Sequence, residues 1–302
     1  MKIKKNLDKT SVDKRNGNSG YQLDITGLKL IIITSLFLVA FDNFAFFKNV
    51  TEVYPVSIHN IWFLASIAIV LTCVIILLFS IFCFKHTAKP ILIIILLASS
   101  LVSYFMNQYN VVIDYTMIEN SIETNTGEVF DLLNLKLFIY LVFTGILPSA
   151  IIYKLKIRYN PFKKELLSRL IVVVSVLLII LASVFPVSDF YTSFLREHKP
   201  LRYYTNPTYY LFSIGRYIKK NLFKKEMVIK PIGTDAKKAG TDTDRELIIL
   251  VVGEAVRANR LALNGYERDT NPLIAGEDII NFPEMYSCGT TTSVSIPCMF
   301  FD

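Results

Sequence analysis

The sequence predicts an α-helical membrane domain of five transmembrane helices, followed by the start of an α/β domain outside the membrane. Two observations favour the membrane domain: 53% of the 302 residues are hydrophobic, and long uncharged runs recur along the chain. A change near residue 244 to short aliphatic and hydroxyl-rich stretches favours the α/β domain. The mean hydropathy of +0.45 is well above that of a typical soluble domain.

Five apolar runs define the predicted membrane domain, residues 28–187. Each approaches the 20 or so apolar residues that an α-helix needs to cross a bilayer. The third run is short and begins at Pro90, a residue that suits the first turn of a helix. The runs cover residues 28–47, 61–84, 90–106, 135–153 and 168–187.

The charges of the connecting segments predict the orientation. Lys and Arg are frequent before the first run, between the second and third, and between the fourth and fifth. The loop 107–134 has no Lys or Arg but five acidic residues. Because basic loops are retained on the cytoplasmic side, we expect a cytoplasmic tail at 1–27, a periplasmic loop at 107–134 and export of everything after about residue 188. The same rule explains the net charge of +7, so we infer no nucleic-acid partner.

Residues 188–243 form a predicted interfacial and linker segment. The stretch 196–226 mixes Tyr and Phe with Lys and Arg, which suits a helix lying at the membrane surface with its rings at headgroup depth. An ordinary bridging helix explains the same pattern equally well. The stretch 231–246 is rich in Pro, Gly, Asp and Thr and has no apolar pattern, which indicates a linker.

Residues 244–302 predict the beginning of an α/β domain. The run LIILVV at 247–252 suits a strand buried on both faces of a parallel sheet. It ends in Gly253 and Glu254, and the following AVRANRLALNGY has helical spacing. Ligands of open α/β sheets gather at the carboxyl ends of strands, so Glu254 is a candidate site residue.

Two cysteines, Cys288 and Cys298, bracket a run of hydroxyl side chains in the predicted exported part. Disulfides persist in oxidising compartments, so we expect a bond that closes this short loop. Two free thiols are the alternative.

Glu254 and the hydroxyls at 290–295 are the candidates for chemistry. A carboxylate is a good hard ligand for a divalent cation, and a threonine hydroxyl becomes nucleophilic when a metal or base activates it. On spacing alone, however, a single glutamate and a Ser/Thr-rich loop are more often structural.

A resemblance supports the catalytic interpretation. The pieces VVGE, LNGY, TNP and NF, followed by SCGTTTSVSIPCMF, occur in order and closely spaced. They resemble the phosphoethanolamine transferases that modify lipopolysaccharide (lipid A) in Gram-negative envelopes, members of the alkaline phosphatase and sulfatase superfamily. The resemblance also covers the five-helix layout and the stretch REHKPLRYYTNP, so it extends over roughly residues 28–302.

The resemblance implies roles for individual residues. Glu254 matches a zinc-binding glutamate, and Thr292 matches the threonine that contacts the zinc and accepts phosphoethanolamine. Cys288 and Cys298 match a family disulfide. The neighbouring hydroxyls at 290, 291, 293 and 295 are then expected to shape the loop.

Asn120, Thr124 and Glu128 recur every four residues and would share one face of a helix. An amide, a hydroxyl and a carboxylate on one face suit an ammonium-bearing headgroup, and the resembling family uses the same residue types at this spacing to bind phosphatidylethanolamine. A solvated acidic face is the alternative.

The sequence departs from the family pattern in its zinc ligands. The family completes its zinc site with a downstream Asp–His pair, whereas the three histidines here are His59, His86 and His198, all before the α/β segment. Because zinc takes four ligands, or three and an open position, Glu254 and Thr292 leave the site incomplete. We therefore expect a truncated chain that is inactive by itself.

The resemblance implies an enzyme of the bacterial inner membrane. It would transfer phosphoethanolamine from phosphatidylethanolamine to lipid A, lipooligosaccharide or core oligosaccharide through a phosphothreonine-type intermediate. The alternatives are another phosphoryl transferase of the superfamily, such as a glycerol-phosphate transferase, and a non-catalytic membrane remnant.

Overall fold

The structure is a computed structural model that describes residues 24–123, 127, 130, 132–158, 161–223, 235, 237, 247–253, 256–289 and 292–300. The chain divides into two compact units, Met1–Leu222 and Phe223–Asp302. The first unit is helical and apolar, and the second contains the hydroxyl-rich loop.

The described part of the first unit contains ten α-helical segments and one short strand pair. The α-helices are α1 (Gly27–Phe41), α2 (Phe44–Val53), α3 (Ile61–Phe82), α4 (Ala88–Tyr109), α5 (Tyr115–Glu123), α6 (Leu135–Tyr140), α7 (Leu147–Lys154), α8 (Phe162–Val184), α9 (Ser188–Arg196) and α10 (Thr208–Leu222). A π-helical turn, Leu141–Ile146, joins α6 to α7, and 3-10 turns at Phe185–Val187 and Lys199–Tyr204 flank α9.

Within the part of the chain that the structure describes, four helical stretches are long and apolar enough to span a membrane. They are Ile61–Phe82, Ala88–Tyr109, Leu135–Lys154 and Lys163–Arg196. The residues of α8 that face outward are large and aliphatic, including Leu170, Leu177 and Leu181. An apolar outer face with internally paired backbone is what a bilayer requires of a helix.

The first predicted span, 28–47, differs from the sequence expectation of one continuous helix. It is a pair, α1 and α2, bent by 55°, so the described residues give four spans, or five when the pair is counted as one. The bend lies at Asp42 and Asn43, where the Asn43 amide donates both to the Leu38 carbonyl and to the Asn206 carbonyl. A polar side chain that bonds outside its own helix replaces the regular helical ladder at this point.

A two-stranded sheet, with three residues in each strand, connects the beginning of α1 to the end of α7. Strand β1 (Asp24–Thr26) pairs in parallel with β2 (Lys156–Arg158), with Ile25 opposite Ile157. The pairing fixes the start of the first helix beside the end of the helix Leu135–Lys154.

The core of the first unit lies where α3 meets α1 and α8. Phe63 and Phe79 of α3 are fully buried, as are Leu38 of α1 and Leu92 of α4. Phe63 also stacks on Phe190 of α9, with ring centroids 5.2 Å apart. Aromatic burial of this kind is a large apolar contribution to packing.

The second unit has less regular structure among its described residues than the sequence predicts. Residues 247–253 form no ladder with any described residue, and Leu247 is 85% exposed. The predicted strand at 247–252 is therefore wrong for this structure, because a strand needs a neighbour to pair with. The helix predicted after Gly253 is also wrong: two 3-10 turns, Ala258–Arg260 and Ala262–Asn264, end at Gly265, whose φ is +90°.

Two helices complete the described second unit. They are α11 (Pro272–Ala275) and α12 (Thr292–Phe300). Asn271 precedes α11 and accepts a hydrogen bond from the Ala262 backbone at 3.0 Å, which connects the 3-10 turns to this helix.

Candidate functional site

The hydroxyl-rich loop is closed by a disulfide between Cys288 and Cys298. The predicted bond is confirmed, and the two free thiols that were the alternative are not present. Thr292 is the first residue of α12, and Cys298 lies in the same helix. The bond therefore fixes the approach of the chain to the helix that Thr292 begins.

Gly289 is a loop residue that sequence reasoning missed. A β-carbon at this position would lie 2.7 Å from Val294 Cγ1, a distance that real side chains do not adopt. The Ser287 hydroxyl donates to the Gly289 carbonyl at 2.6 Å and accepts from its backbone N–H. The close approach of the loop to α12 thus requires glycine here. The signal in the sequence was the glycine that directly follows Cys288.

The structure places only part of the predicted catalytic set. Glu254, Thr290 and Thr291 lie outside the described residues, and the backbone of Thr292 is described but its side chain is not. The described residues contain no group of three or more His, Cys, Asp or Glu that could hold a metal ion. The pairing of Glu254 with Thr292 around zinc remains a prediction.

The predicted headgroup face begins on α5, which contains Asn120. Thr124 and Glu128 lie outside the described residues. The Asp114 carboxylate starts the helix by accepting hydrogen bonds from the Met117 backbone at 2.8 Å and the Thr116 hydroxyl at 2.7 Å. A carboxylate in this position satisfies backbone donors at the helix start.

Helix α10 lies against α5 and brings cations to it, which the sequence analysis missed. Lys220 Nζ is 3.1 Å from a Glu119 carboxylate oxygen, and the Arg216 guanidinium lies 4.5 Å from the centre of the Tyr115 ring. The signal was the spacing of Arg216 and Lys220, four residues apart and so on one face of a helix. The Glu119 carboxylate of α5 is thus paired with a cation of α10.

Helix α10 is amphipathic. Phe212, Ile218 and Leu222 are exposed large apolar residues, whereas Tyr210 is buried. Burial raises the pKa of the Tyr210 hydroxyl, which shares a hydrogen bond with Ser99 at 3.2 Å. The hydroxyl therefore stays protonated at neutral pH, and the helix is held to α4 by a neutral polar contact.

A buried polar cluster joins the bend in the first span to the segment that precedes α10. Asn206 is fully buried, and its side-chain amide donates to the Asp42 carbonyl at 3.1 Å and the Ser99 carbonyl at 2.8 Å. The Asn206 backbone N–H donates to the Asn43 side chain at 2.9 Å. These bonds fix where α10, and hence its contact with α5, begins.

The fold and the loop define a class: an integral membrane protein whose helical domain is followed by a disulfide-closed, hydroxyl-rich segment. The family model described as phosphoethanolamine transferase EptA/EptB matches residues 71–222, and the sulfatase model matches residues 246–301. The chain belongs to the phosphoethanolamine transferase EptA/EptB family.

Curated relatives agree with this assignment. The chain is 36% identical over 93% of its length to phosphatidylethanolamine transferase Mcr-1 of Escherichia coli, covering 53% of that protein. It is 32% identical over 91% of its length to phosphoethanolamine transferase EptA of E. coli K12, covering 51% of it. The chain thus spans about half the length of these relatives.

A solved structure is also similar. The integral membrane lipooligosaccharide phosphoethanolamine transferase A (EptA) from Neisseria meningitidis matches with a TM-score of 0.80 and 29% identity. The match covers 92% of this chain and 53% of that one.

Proposed function

We propose that the protein transfers phosphoethanolamine from phosphatidylethanolamine to lipid A or core oligosaccharide. The observation that carries the proposal is the disulfide-closed loop that sets Thr292 at the start of α12. A helix N-terminus presents free backbone N–H groups and favours an anion such as a phosphoryl group.

Thr292 is the proposed nucleophile. Its hydroxyl oxygen forms a bond to the phosphorus of the donor lipid while the bond from phosphorus to the diacylglycerol oxygen breaks. The hydroxyl proton is lost from Thr292, and the departing diacylglycerol oxygen gains one. In the second step an acceptor hydroxyl or phosphate oxygen bonds to the same phosphorus while the bond from phosphorus to the Thr292 oxygen breaks. The Thr292 oxygen regains a proton, which an acceptor hydroxyl would lose, so the whole transfer consists of two in-line displacements.

A zinc ion is the proposed cofactor, with Glu254 and Thr292 among its ligands. Carboxylate and hydroxyl oxygens are suitable donors for a divalent cation, which when bound would favour the deprotonated threonine. Residues 288–298 contribute by holding the Thr292 backbone in a closed loop, which limits the positions that its side chain can reach.

The donor headgroup is proposed to bind at α5, in the periplasmic loop, with Asn120, Thr124 and Glu128 facing the ammonium group. The orientation with a cytoplasmic amino terminus in the bacterial inner membrane follows from the basic loops. The exposed apolar residues of α10 support a position at the membrane surface for this helix and for α5 beside it.

A chimera tests the proposal. Residues 1–302 replace the matching half of EptA from E. coli K12, and mass spectrometry of lipid A reports the addition of phosphoethanolamine. We expect addition by the chimera, loss of addition with Thr292→Ala, and retention with the matched change Ser295→Ala. A peptide carrying phosphoethanolamine on Thr292 would support the intermediate. Undiminished transfer by the Thr292→Ala chimera would exclude the nucleophile, and transfer of glycerol phosphate instead would exclude the substrate.

A further inference from the structure

An open groove runs along the outside of the membrane unit between α1 and α7. It has a volume of about 640 Å³, and its floor is Leu96 of α4. Its walls are apolar, and only Lys29 and Thr34 contribute polar side chains. From Lys29 to Phe37 the groove follows α1 for about 12 Å.

The groove is exposed on a part of the molecule that a bilayer surrounds. Ile33 on one wall is 55% exposed and Ile151 on the other is 60% exposed, whereas Leu30 and Ile152 beneath them are buried. An apolar groove in a spanning helix pair faces lipid tails rather than water. A hydrocarbon chain therefore fits its shape and chemistry.

One end of the groove is basic. Lys29 lines the groove itself, and Lys154 precedes the lining residue Leu155 at the end of α7. Both lysines are exposed, and Lys29 takes part in neither ion pair found among the described side chains. The β1–β2 pairing brings Lys156 to the same end, opposite Asp24 in the register. Lys29, Lys154 and Lys156 are all exposed and give this end of the groove a positive charge.

We propose that this groove binds one anionic phospholipid, with an acyl chain along α1 and α7 and its phosphate beside Lys29 and Lys154. A juxtamembrane lysine attracts anionic lipid, whereas a zwitterionic headgroup with equal and opposite charges gains much less from two cations. The basic end lies about 30 Å from the segment that follows α5, since the helix Leu135–Lys154 has 20 residues. The site is thus separate from the proposed donor site and does not depend on the transfer activity.

Native mass spectrometry of the purified chain tests the proposal. The probes are phosphatidylglycerol and phosphatidylcholine with identical acyl chains, added at equal concentration at low salt. We expect one retained phosphatidylglycerol in preference to phosphatidylcholine. Lys29→Ala should weaken this retention about fivefold, the effect of one lysine near a membrane surface. Lys48→Ala removes the same charge from an exposed position on α2, outside the groove, and should leave retention unchanged.

A second variant distinguishes the contribution of the groove's shape to lipid binding from the contribution of its charge. Ile33→Trp adds bulk to one wall without changing charge, and we expect it to lower phosphatidylglycerol retention while the unfolding temperature stays the same. Equal retention of the two lipids by the unmodified chain, equal losses with Lys29→Ala and Lys48→Ala, or full retention with Ile33→Trp would each overturn the proposal.

Discussion

Arg169 provides the sharpest test of how the helical unit is held together. This arginine is only 5% exposed, although it lies on α8, an apolar helix. Its guanidinium donates to the carbonyls of Ser80 and Cys83 and pairs with the Glu165 carboxylate at 3.1 Å. The two carbonyls are at the end of α3, where helical hydrogen bonds run out. Arg169 therefore caps one spanning helix from its neighbour.

The magnitude of its contribution follows from these contacts. Each hydrogen bond from a charged donor is worth about 1.5–3 kcal/mol. Arg169→Met keeps much of the aliphatic volume but leaves two carbonyls and the Glu165 carboxylate, 15% exposed, without their donor. Removing one partner of a buried pair costs about 3–5 kcal/mol. We expect the free energy of unfolding to fall by that amount.

Unfolding in detergent micelles measures the loss, with the fluorescence of Trp62 as the probe. Trp62 is the one tryptophan of the chain and lies on α3, the helix that Arg169 caps. Lys164→Met is the matched control, because Lys164 is exposed on the same helix. The double variant Arg169→Met with Glu165→Gln should lose less free energy of unfolding than the two single variants lose in sum, since it leaves no uncompensated carboxylate charge.

The reasoning would be refuted by a simple outcome. If Arg169→Met lowers the free energy of unfolding by no more than Lys164→Met does, the guanidinium contacts add no net stability. Water and lipid would then replace them fully.

Three further predictions concern two buried polar side chains, Asp42 and Asn206, and the Cys288–Cys298 disulfide. Asp42→Asn should raise the free energy of unfolding by about 1–3 kcal/mol in the same assay, because both carboxylate oxygens of Asp42 are buried and no donor among the described residues hydrogen-bonds to them; a loss of stability would contradict this. Asn206→Ala should lower stability by about 2 kcal/mol, because the Asp42 and Ser99 carbonyls lose their donor, and an unchanged unfolding curve would count against the buried cluster. Cys288→Ser opens a loop whose closure is worth about 3 kcal/mol by chain entropy, so limited proteolysis should cut the loop faster and Cys298 should become alkylated; protection equal to that of the unmodified chain would argue against a stabilising role for the disulfide.

The spanning helices could be predicted because their signal is local. Each needs only a long apolar run, and the runs at 61–84 and 135–153 agree closely with Ile61–Phe82 and Leu135–Lys154. The bend in the first span could not be predicted, because it depends on Asn206, 163 residues away from Asn43. Hydropathy reports the composition of a segment and not the partner that a buried amide will find.

In the second unit, a sequence pattern with the right composition did not give the predicted strand. The run at 247–252 has the composition of a buried strand, but burial depends on neighbouring strands and not on the run itself. The disulfide between Cys288 and Cys298 was easier to predict, because two cysteines close in sequence need only an oxidising compartment and a loop that brings them together.

Buried polar contacts of the helical unit position α5, the helix that contains Asn120 of the predicted headgroup face. Asn43 and Asn206 bond to each other inside an apolar environment, where an unpaired amide is costly. The position of Asn206 fixes the start of α10, and α10 contacts α5 through Lys220 and Arg216. An ion pair at the surface such as Lys220–Glu119, in which the Lys220 side chain is half exposed, contributes little by itself. The orientation of α5 is therefore set by the buried amides at the bend of the first span, and the surface charges adjust it.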